Sequence, residues 1–224
     1  WKVAAGTNIQ YSDYGNDTQS VLYNLDYSTG IDFMKYGFFA KAERKLFDDN
    51  LGLSFGFRVD ADSFSKGSSL TDNFSPRLAL TYNLTEDQTW KINASVGRYY
   101  KIPTYTMLGF QNTQRSFVNK NAKYTRSDHW VTGLEYAPGN ASRITLEGFY
   151  KKYSQYPISL IDGVSLANKG GGFEVLGNEA IRSDGKGKSY GLEALYQQKL
   201  SKNFYGVFAY TYFHSQFTTA QGNY

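Results

Sequence analysis

Residues 51–62 read LGLSFGFRVDAD, a run in which every odd-numbered position is apolar and every even-numbered position is small or charged. The alternation continues for the whole run, which is typical of a β-strand with one apolar face and one polar face. The same period of two recurs in residues 78–84, 90–97, 132–136, 144–147 and 189–197. No convincing long helical pattern accompanies it, so the sequence predicts an all-β protein.

The predicted strands number nine, and their connections alternate between short and long. The strands lie at about 1–11, 34–47, 51–62, 75–84, 89–100, 126–137, 143–153, 187–200 and 204–216. Short connections rich in turn residues follow at 48–50, 85–88, 138–142 and 201–203, and long ones at 12–33, 63–74, 101–125 and 154–186. This asymmetry predicts an antiparallel up-and-down sheet, and it is typical of outer-membrane barrels with short periplasmic turns and long extracellular loops.

A soluble meander or lipocalin-like barrel is the alternative, and the aromatic residues argue against it. Trp90 and Tyr136 lie near short turns, whereas Tyr100 and Tyr150 lie near the opposite strand ends. From Trp90 to Tyr100 the strand would span roughly 23 Å at a tilt near 45°, about the height of the apolar band of a membrane barrel. Two aromatic girdles at this separation predict a transmembrane β-barrel segment.

The polar face of the strands carries charges, which are predicted to point into the lumen of the barrel. They are Arg58, Asp60, Arg77, Glu135, Glu147 and Glu193. Such residues could contact a plug or the ligand path, although a solvated lumen wall would look the same. Arg98 breaks the pattern, because its even-numbered position in this strand places it on the apolar face, towards lipid. It could snorkel to a lipopolysaccharide phosphate, or a β-bulge could turn it inward.

Composition excludes several functional classes. The chain has no cysteine and two histidines, and its net charge of +4 is spread along the sequence, so neither a thiolate site nor nucleic-acid binding is expected. Asp60, Asp62 and Asp72 lack the further ligands of a calcium loop, so we expect no metal and no cofactor. Ser127 and His129 flank Asp128 on a strand, where neighbours face opposite ways and cannot form a catalytic relay. The sequence therefore predicts no enzyme.

Two stretches resemble the mid-barrel signature of TonB-dependent receptors. They are FSPRLALTYNL at residues 74–84 and ASVGRYYKIP at residues 94–103, followed by Gly-Leu-Glu at 191–193 and Tyr-Thr-Tyr at 210–212. Their order and spacing carry the resemblance, which covers residues 35–216. It implies a plugged barrel of about 22 strands in the bacterial outer membrane.

The resemblance also implies a function and partners. Members of the family bind a scarce ligand such as a siderophore, cobalamin, an oligosaccharide or a peptide, and import it with energy from TonB. We expect residues 1–224 to lie in a single barrel domain, with the plug domain and the remaining strands absent. Implied partners are outer-membrane lipids, lipopolysaccharide, the plug domain and TonB, and a surface lipoprotein is left open. The alternatives are a passive porin or adhesin-type barrel and an outer-membrane hydrolase.

The predicted ligand-binding residues lie in two long loops, where aromatic side chains stand beside amides and charges. They are Tyr105, Phe110, Gln111, Asn112 and Arg115 in loop 101–125, and Tyr156, Asn168, Phe173 and Arg182 in loop 154–186. Unspecific surface loops would have a similar composition. The sequence does not name the ligand.

Overall fold

The computed structural model describes residues 1–20, 25–67, 69–169, 177–201 and 203–224. In these ranges the chain forms nine strands and one short helix. They are β1 (Lys2–Ser20), β2 (Leu25–Leu46), β3 (Leu51–Asp62), β4 (Ser75–Asn83), β5 (Trp90–Lys101), α1 (Tyr105–Leu108), β6 (Thr125–Tyr136), β7 (Ser142–Ser159), β8 (Ile181–Ser201) and β9 (Phe204–Phe217). The strands form one sheet in chain order, and each pairs antiparallel with the next. The predicted nine-stranded up-and-down sheet is confirmed.

Cross-strand pairing places the alternating side chains on the two faces as predicted. Phe55 pairs with Leu78, which belongs to the same strand face as Leu80. This apolar face is uncovered, with Phe55 57% and Leu192 55% exposed. Arg58 and Glu193 lie on the other, polar face, where β2, β5 and β6 also present Lys41, Lys91 and Glu135.

The prediction of a long loop at 12–33 is wrong. Residues 12–20 pair in continuous register with residues 25–33, so β1 and β2 form one long hairpin. Polar and small residues occupy both faces of much of this extension, so the sequence there lacks the apolar–polar alternation from which a strand is predicted. The long connection after β7 is also shorter than predicted, because β7 continues to Ser159 and β8 already begins at Ile181.

The bulge alternative for Arg98 is wrong as well. The register of β5 with β6 runs without a shift from Trp90 opposite Tyr136 to Lys101 opposite Thr125. Arg98 therefore stays on the apolar face, opposite Asp128. A bulge occurs instead in β7, where the register with β8 shifts between Tyr153 and Pro157.

A small hydrophobic core lies at the end of the sheet that carries the long loops. Ile31 and Phe33 on β2 pack with Leu108 and Ala122, and partly buried rings such as Tyr105 surround them. We call this cluster the loop core. It fixes loop 102–124 against the long β1–β2 hairpin. In the described ranges no helix has the length and apolar character needed to cross a bilayer.

Candidate functional site

Tyr105, the first predicted ligand-binding residue, is the anchor of α1. Its ring meets Phe33 edge-on at 5.2 Å and Tyr14 at 5.8 Å. Its hydroxyl is hydrogen-bonded to the ammonium of Lys35 and to Ser12. Burial tends to raise the Tyr105 pKa, but these two hydrogen bonds and the Lys35 charge hold the pKa below its ordinary value. Tyr105 thus fixes the base of the loop.

Beyond α1, residues 111–117 form a small exposed hairpin, which we call the loop tip. Gln111 and Phe117 form its bridge, and the Gln111 amide donates to the Tyr27 hydroxyl at 2.9 Å. The Asn112 side-chain oxygen accepts from the amides of Gln114 and Ser116, so it builds the turn. Arg115 lies at the exposed end of the loop tip with a left-handed backbone.

Phe110 connects the loop tip to the β1–β2 hairpin. Its ring lies 5.9 Å from that of Tyr27. The carbonyl of Gly109 accepts hydrogen bonds from the Tyr27 and Thr29 hydroxyls at 2.9 and 2.7 Å. The loop tip is therefore presented on a base fixed by β2, an arrangement suited to recognition.

Asn119 ties the two long loops together, and sequence patterns give no signal for this role. Its side chain is 3% exposed. Its amide donates to the carbonyls of Met107 at 2.8 Å and Glu179 at 2.9 Å, and its oxygen accepts from the Ile181 amide at 3.0 Å. All three hydrogen-bond partners of the Asn119 side chain are backbone groups, so Asn119 joins α1 to the start of β8 independently of the neighbouring side chains.

The second predicted group lies beside the segment after β9. The Tyr156 ring packs 4.7 Å from Phe217, and the Asn168 amide donates to the Phe217 carbonyl at 3.3 Å. Arg182 donates to the Ala220 carbonyl at 2.9 Å and pairs with Asp184 at 2.9 Å. Phe173 lies outside the described residues. The predicted ligand-binding residues thus form two groups, one at the loop tip and one beside residues 217–220.

A charged cluster fixes the described part of the second loop. The ammonium of Lys169 lies 2.9 Å from carboxylate oxygens of both Asp162 and Glu179. Burial lowers the Lys169 pKa, but the hydrogen bonds to Asp162 and Glu179 outweigh it and leave the pKa above 10.5. Hydrogen bonds from Lys169 and from the Val164 amide hold the Asp162 pKa below 3.8. Both shifts favour the charged pair.

Three of the predicted lumen charges have partners on the polar face. Arg58 donates to Asp60 at 2.6 Å and to Asn8 at 2.8 Å, and Arg77 lies over the Tyr99 ring at 4.4 Å. Arg58, Arg77 and Tyr99 border a depression of about 400 Å³ that Gly56 also lines. Glu135, a fourth predicted lumen charge, pairs with Arg143 at 2.7 Å and lies 3.9 Å from Lys91.

Glu147 and Glu193 differ from the other charges. They lie directly opposite each other on β7 and β8. No cation of the described residues forms a salt bridge with either carboxylate. Like charges placed directly opposite across a sheet are destabilising unless a cation screens them. This carboxylate pair therefore has no salt-bridge partner among the described residues.

The Ser127–Asp128–His129 segment does not form a catalytic relay. The Ser127 hydroxyl and the His129 ring are hydrogen-bonded at 2.7 Å, while Asp128 lies on the opposite face with Arg98 and Arg126. The His129 ring stacks on Tyr99 at 4.5 Å. Among the described residues no group of three or more His, Cys, Asp or Glu side chains is placed to hold a metal ion.

The sequence matches over residues 1–224 the family described as TonB dependent receptor-like, beta-barrel. No curated protein matches it. Among solved structures, it is similar to the siderophore receptor PirA from Pseudomonas aeruginosa, with a TM-score of 0.63, 17% identity and coverage of 95% of this chain and 39% of that one. It is also similar to the pyoverdine outer-membrane receptor FpvA from the same species, with a TM-score of 0.60, 16% identity and coverage of 88% of this chain and 27% of that one. The alcaligin outer-membrane receptor FauA from Bordetella pertussis has a TM-score of 0.54 and 15% identity, with coverage of 99% of this chain and 41% of that one. At these identities the likeness concerns the fold, and the chain spans between 27% and 41% of the three structures.

Proposed function

The chain belongs to the TonB-dependent receptor-like β-barrel family, and from this we propose that it forms part of an outer-membrane receptor that captures a scarce extracellular ligand and imports it with energy from TonB. The family and its fold are those of outer-membrane transporters, which are not enzymes. The observation that carries the proposal is the loop tip, because an exposed hairpin on a buried, hydrogen-bonded base is suited to recognising an extracellular ligand.

Among the four ligand classes of the family we favour a ferric siderophore. Solved structures with the same fold bear the names of siderophore receptors. In this chain the loop tip presents Arg115 and Gln111, and the second group contains Arg182 and Tyr156, which contact Ala220 and Phe217 respectively. Guanidinium groups and aromatic rings in the same loop region suit a bulky, oxygen-rich chelate, because together they offer charge-assisted hydrogen bonds and stacking.

The plug domain expected for this family gives the unpaired carboxylates a role. Glu147 and Glu193 face the lumen side by side without a cation in the described part of the chain. We propose that lysine or arginine side chains of a plug contact them and relieve their repulsion. Paired in this way, the carboxylates would hold the plug closed until energy from TonB moves it. A surface lipoprotein stays a further proposed partner of the full-length receptor.

Iron uptake tests the function. Cells that depend on this receptor for growth on a ferric siderophore should take up labelled iron only when TonB is present. Arg115→Gln should weaken siderophore binding, whereas Arg143→Gln, at the opposite end of the sheet, should not. Uptake that continues without TonB would favour the passive porin instead.

Antibiotic entry tests the plug contact separately. Glu147→Gln with Glu193→Gln should loosen the plug and let large antibiotics, which an intact receptor excludes, pass into the periplasm. Siderophore binding at the loop tip should be unchanged. Unchanged antibiotic exclusion would contradict the plug role and leave the receptor function intact.

A further inference from the structure

Cationic side chains collect on the apolar face, just above the aromatic residues at the long-loop end. Arg98, Asp128, Lys152 and Lys188 are directly opposite one another on β5 to β8, and Arg126 lies two residues from Asp128 on the same face. Four cations and one carboxylate leave this row with a net charge of +3. We call these five residues the cationic row.

The position of the cationic row matches a membrane interface. The adjoining row contains Val96, Trp130, Tyr150 and Tyr190, again directly opposite one another. Trp and Tyr side chains favour the level of the lipid headgroups. One step of two residues along a strand is about 7 Å, so the cations stand at headgroup phosphate level, where long side chains can reach water.

Ion pairs inside the cationic row leave most of its charge available. Asp128 accepts from Arg98 at 2.7 Å through one oxygen and from Arg126 at 2.5 and 2.9 Å through the other. Each guanidinium keeps further N–H donors. Lys152 is exposed and has no salt bridge within the described residues, and Lys188 lies 4.6 Å from the Tyr224 ring.

The surface beside the cationic row is a groove with an apolar wall. A depression of about 490 Å³ is bordered by Arg98, Arg126 and Lys152 on one side and by Phe55, Leu78 and Val96 on the other.

A second depression, of about 850 Å³, shares Leu78, Val96 and Trp130 with the first and continues into the apolar band. Its floor contains the small side chains Ala94, Thr132 and Gly148, which are directly opposite one another. Together the two depressions offer anion-binding donors above a space for acyl chains.

We propose that this groove binds one molecule of the phosphorylated glycolipid of the outer leaflet, lipopolysaccharide, through its lipid A phosphates. The inference rests on the outer-membrane location of the family and not on import. Four strands set about 4.8 Å apart spread the cations over roughly 14 Å. That is wide for the single phosphate of a glycerophospholipid, whereas lipid A carries phosphates at both ends of a disaccharide. The several acyl chains of lipid A also suit the wide apolar depression better than the two acyl chains of a glycerophospholipid do.

Native mass spectrometry of the purified outer-membrane protein that contains this chain tests the site. The probes are bisphosphorylated lipid A, its dephosphorylated form, phosphatidylglycerol and inorganic phosphate. We expect lipid A to be retained at least tenfold more strongly than the other three, since charge-assisted contacts of this kind are each worth about a tenfold change in affinity. Equal retention of phosphatidylglycerol would overturn the assignment to lipopolysaccharide.

Two variants separate a lipid site from a merely structural ion-pair cluster. Arg98→Gln with Lys152→Gln should lower lipid A retention at least tenfold. Asp128→Asn should raise it several-fold, because it removes the carboxylate that competes with phosphate for both guanidinium groups. The control is Arg44→Gln, which removes a cation at the short-turn end of the same face, over Trp1. Unchanged lipid A retention in either the double variant or Asp128→Asn would overturn the proposal.

Discussion

Replacing Asn119 by alanine should loosen both long loops while leaving the barrel strands intact. The change removes three hydrogen bonds to the backbone groups of Met107, Glu179 and Ile181. Each buried bond is worth about 1 kcal/mol net, so closing the loops should become less favourable by about 3 kcal/mol. Since 1.4 kcal/mol corresponds to a factor of ten, local opening should become about 100-fold more frequent.

Hydrogen exchange followed by mass spectrometry measures this opening. Amide exchange should accelerate in residues 105–122 and also in 177–183, although the latter are distant in sequence. Asn112→Ala is the matched control, because its side-chain bonds stay within residues 112–116 and it should affect the loop tip alone. If Asn119→Ala left the exchange of 177–183 unchanged, Asn119 would not couple the two loops and the reasoning would be refuted.

Three further changes test the faces of the sheet and the charged cluster. Leu134→Arg should lower the free energy of unfolding by about 2–4 kcal/mol because it puts a charge in the lipid-facing band. Val131→Arg, on the polar face, should be tolerated. The yield of folded, heat-modifiable barrel on gels compares the two variants. Gly191→Ala should lower the free energy of unfolding in urea by about 1–3 kcal/mol, since its methyl group would overlap a backbone carbonyl oxygen of β9. The ion pair between Lys169 and Asp162 should protect its loop from protease at neutral pH. Because the Asp162 pKa is lowered and the Lys169 pKa is raised, protection should fall as pH drops below 3.8 or rises above 10.5.

The strands within the membrane band could be predicted from the sequence because two different solvents act on their two faces. In β3, from Leu51 to Asp62, side chains that suit lipid alternate with side chains that suit a polar lumen. The same holds in β5 and β6, whose bounds agree with the predicted ones to within about one residue. The lipid and the lumen together impose the period of two.

That constraint ends where the strands leave the bilayer. Residues 12–20 and 25–33 still pair, but water and folded loops surround them, so Gly15 and Gly30 can stand opposite each other without breaking any pattern. In β7 a left-handed Gln155 precedes Pro157 and shifts the register, which again hides the continuation of the strand. Sequence alternation therefore detects the membrane band and misses the strand extensions.

The candidate site was only partly predictable, for a related reason. Aromatic and amide residues in the long loops indicated where we propose that recognition takes place, but Tyr105 and Asn112 have their side chains engaged in holding the loop itself. The residues that hold α1 in place, Lys35 and Asn119, are single polar side chains with distant partners. Lys35 reaches Tyr105, 70 residues away, and Asn119 reaches Glu179, 60 residues away. No local pattern reveals such contacts.

These contacts divide the molecule into two parts with different sources of stability. The apolar face, where Leu146 is 52% exposed, is stabilised by the bilayer and contributes nothing when the protein is in water. The loop core, in which Leu108 is fully buried, is stabilised by its own packing and does not need lipid. We therefore expect the loop tip to keep its position when the strands tilt or the bilayer changes thickness. If the proposed recognition role holds, we expect that exposed residues such as Arg115 can vary to suit a new ligand without disturbing the barrel, provided that the loop core and Asn119 are kept.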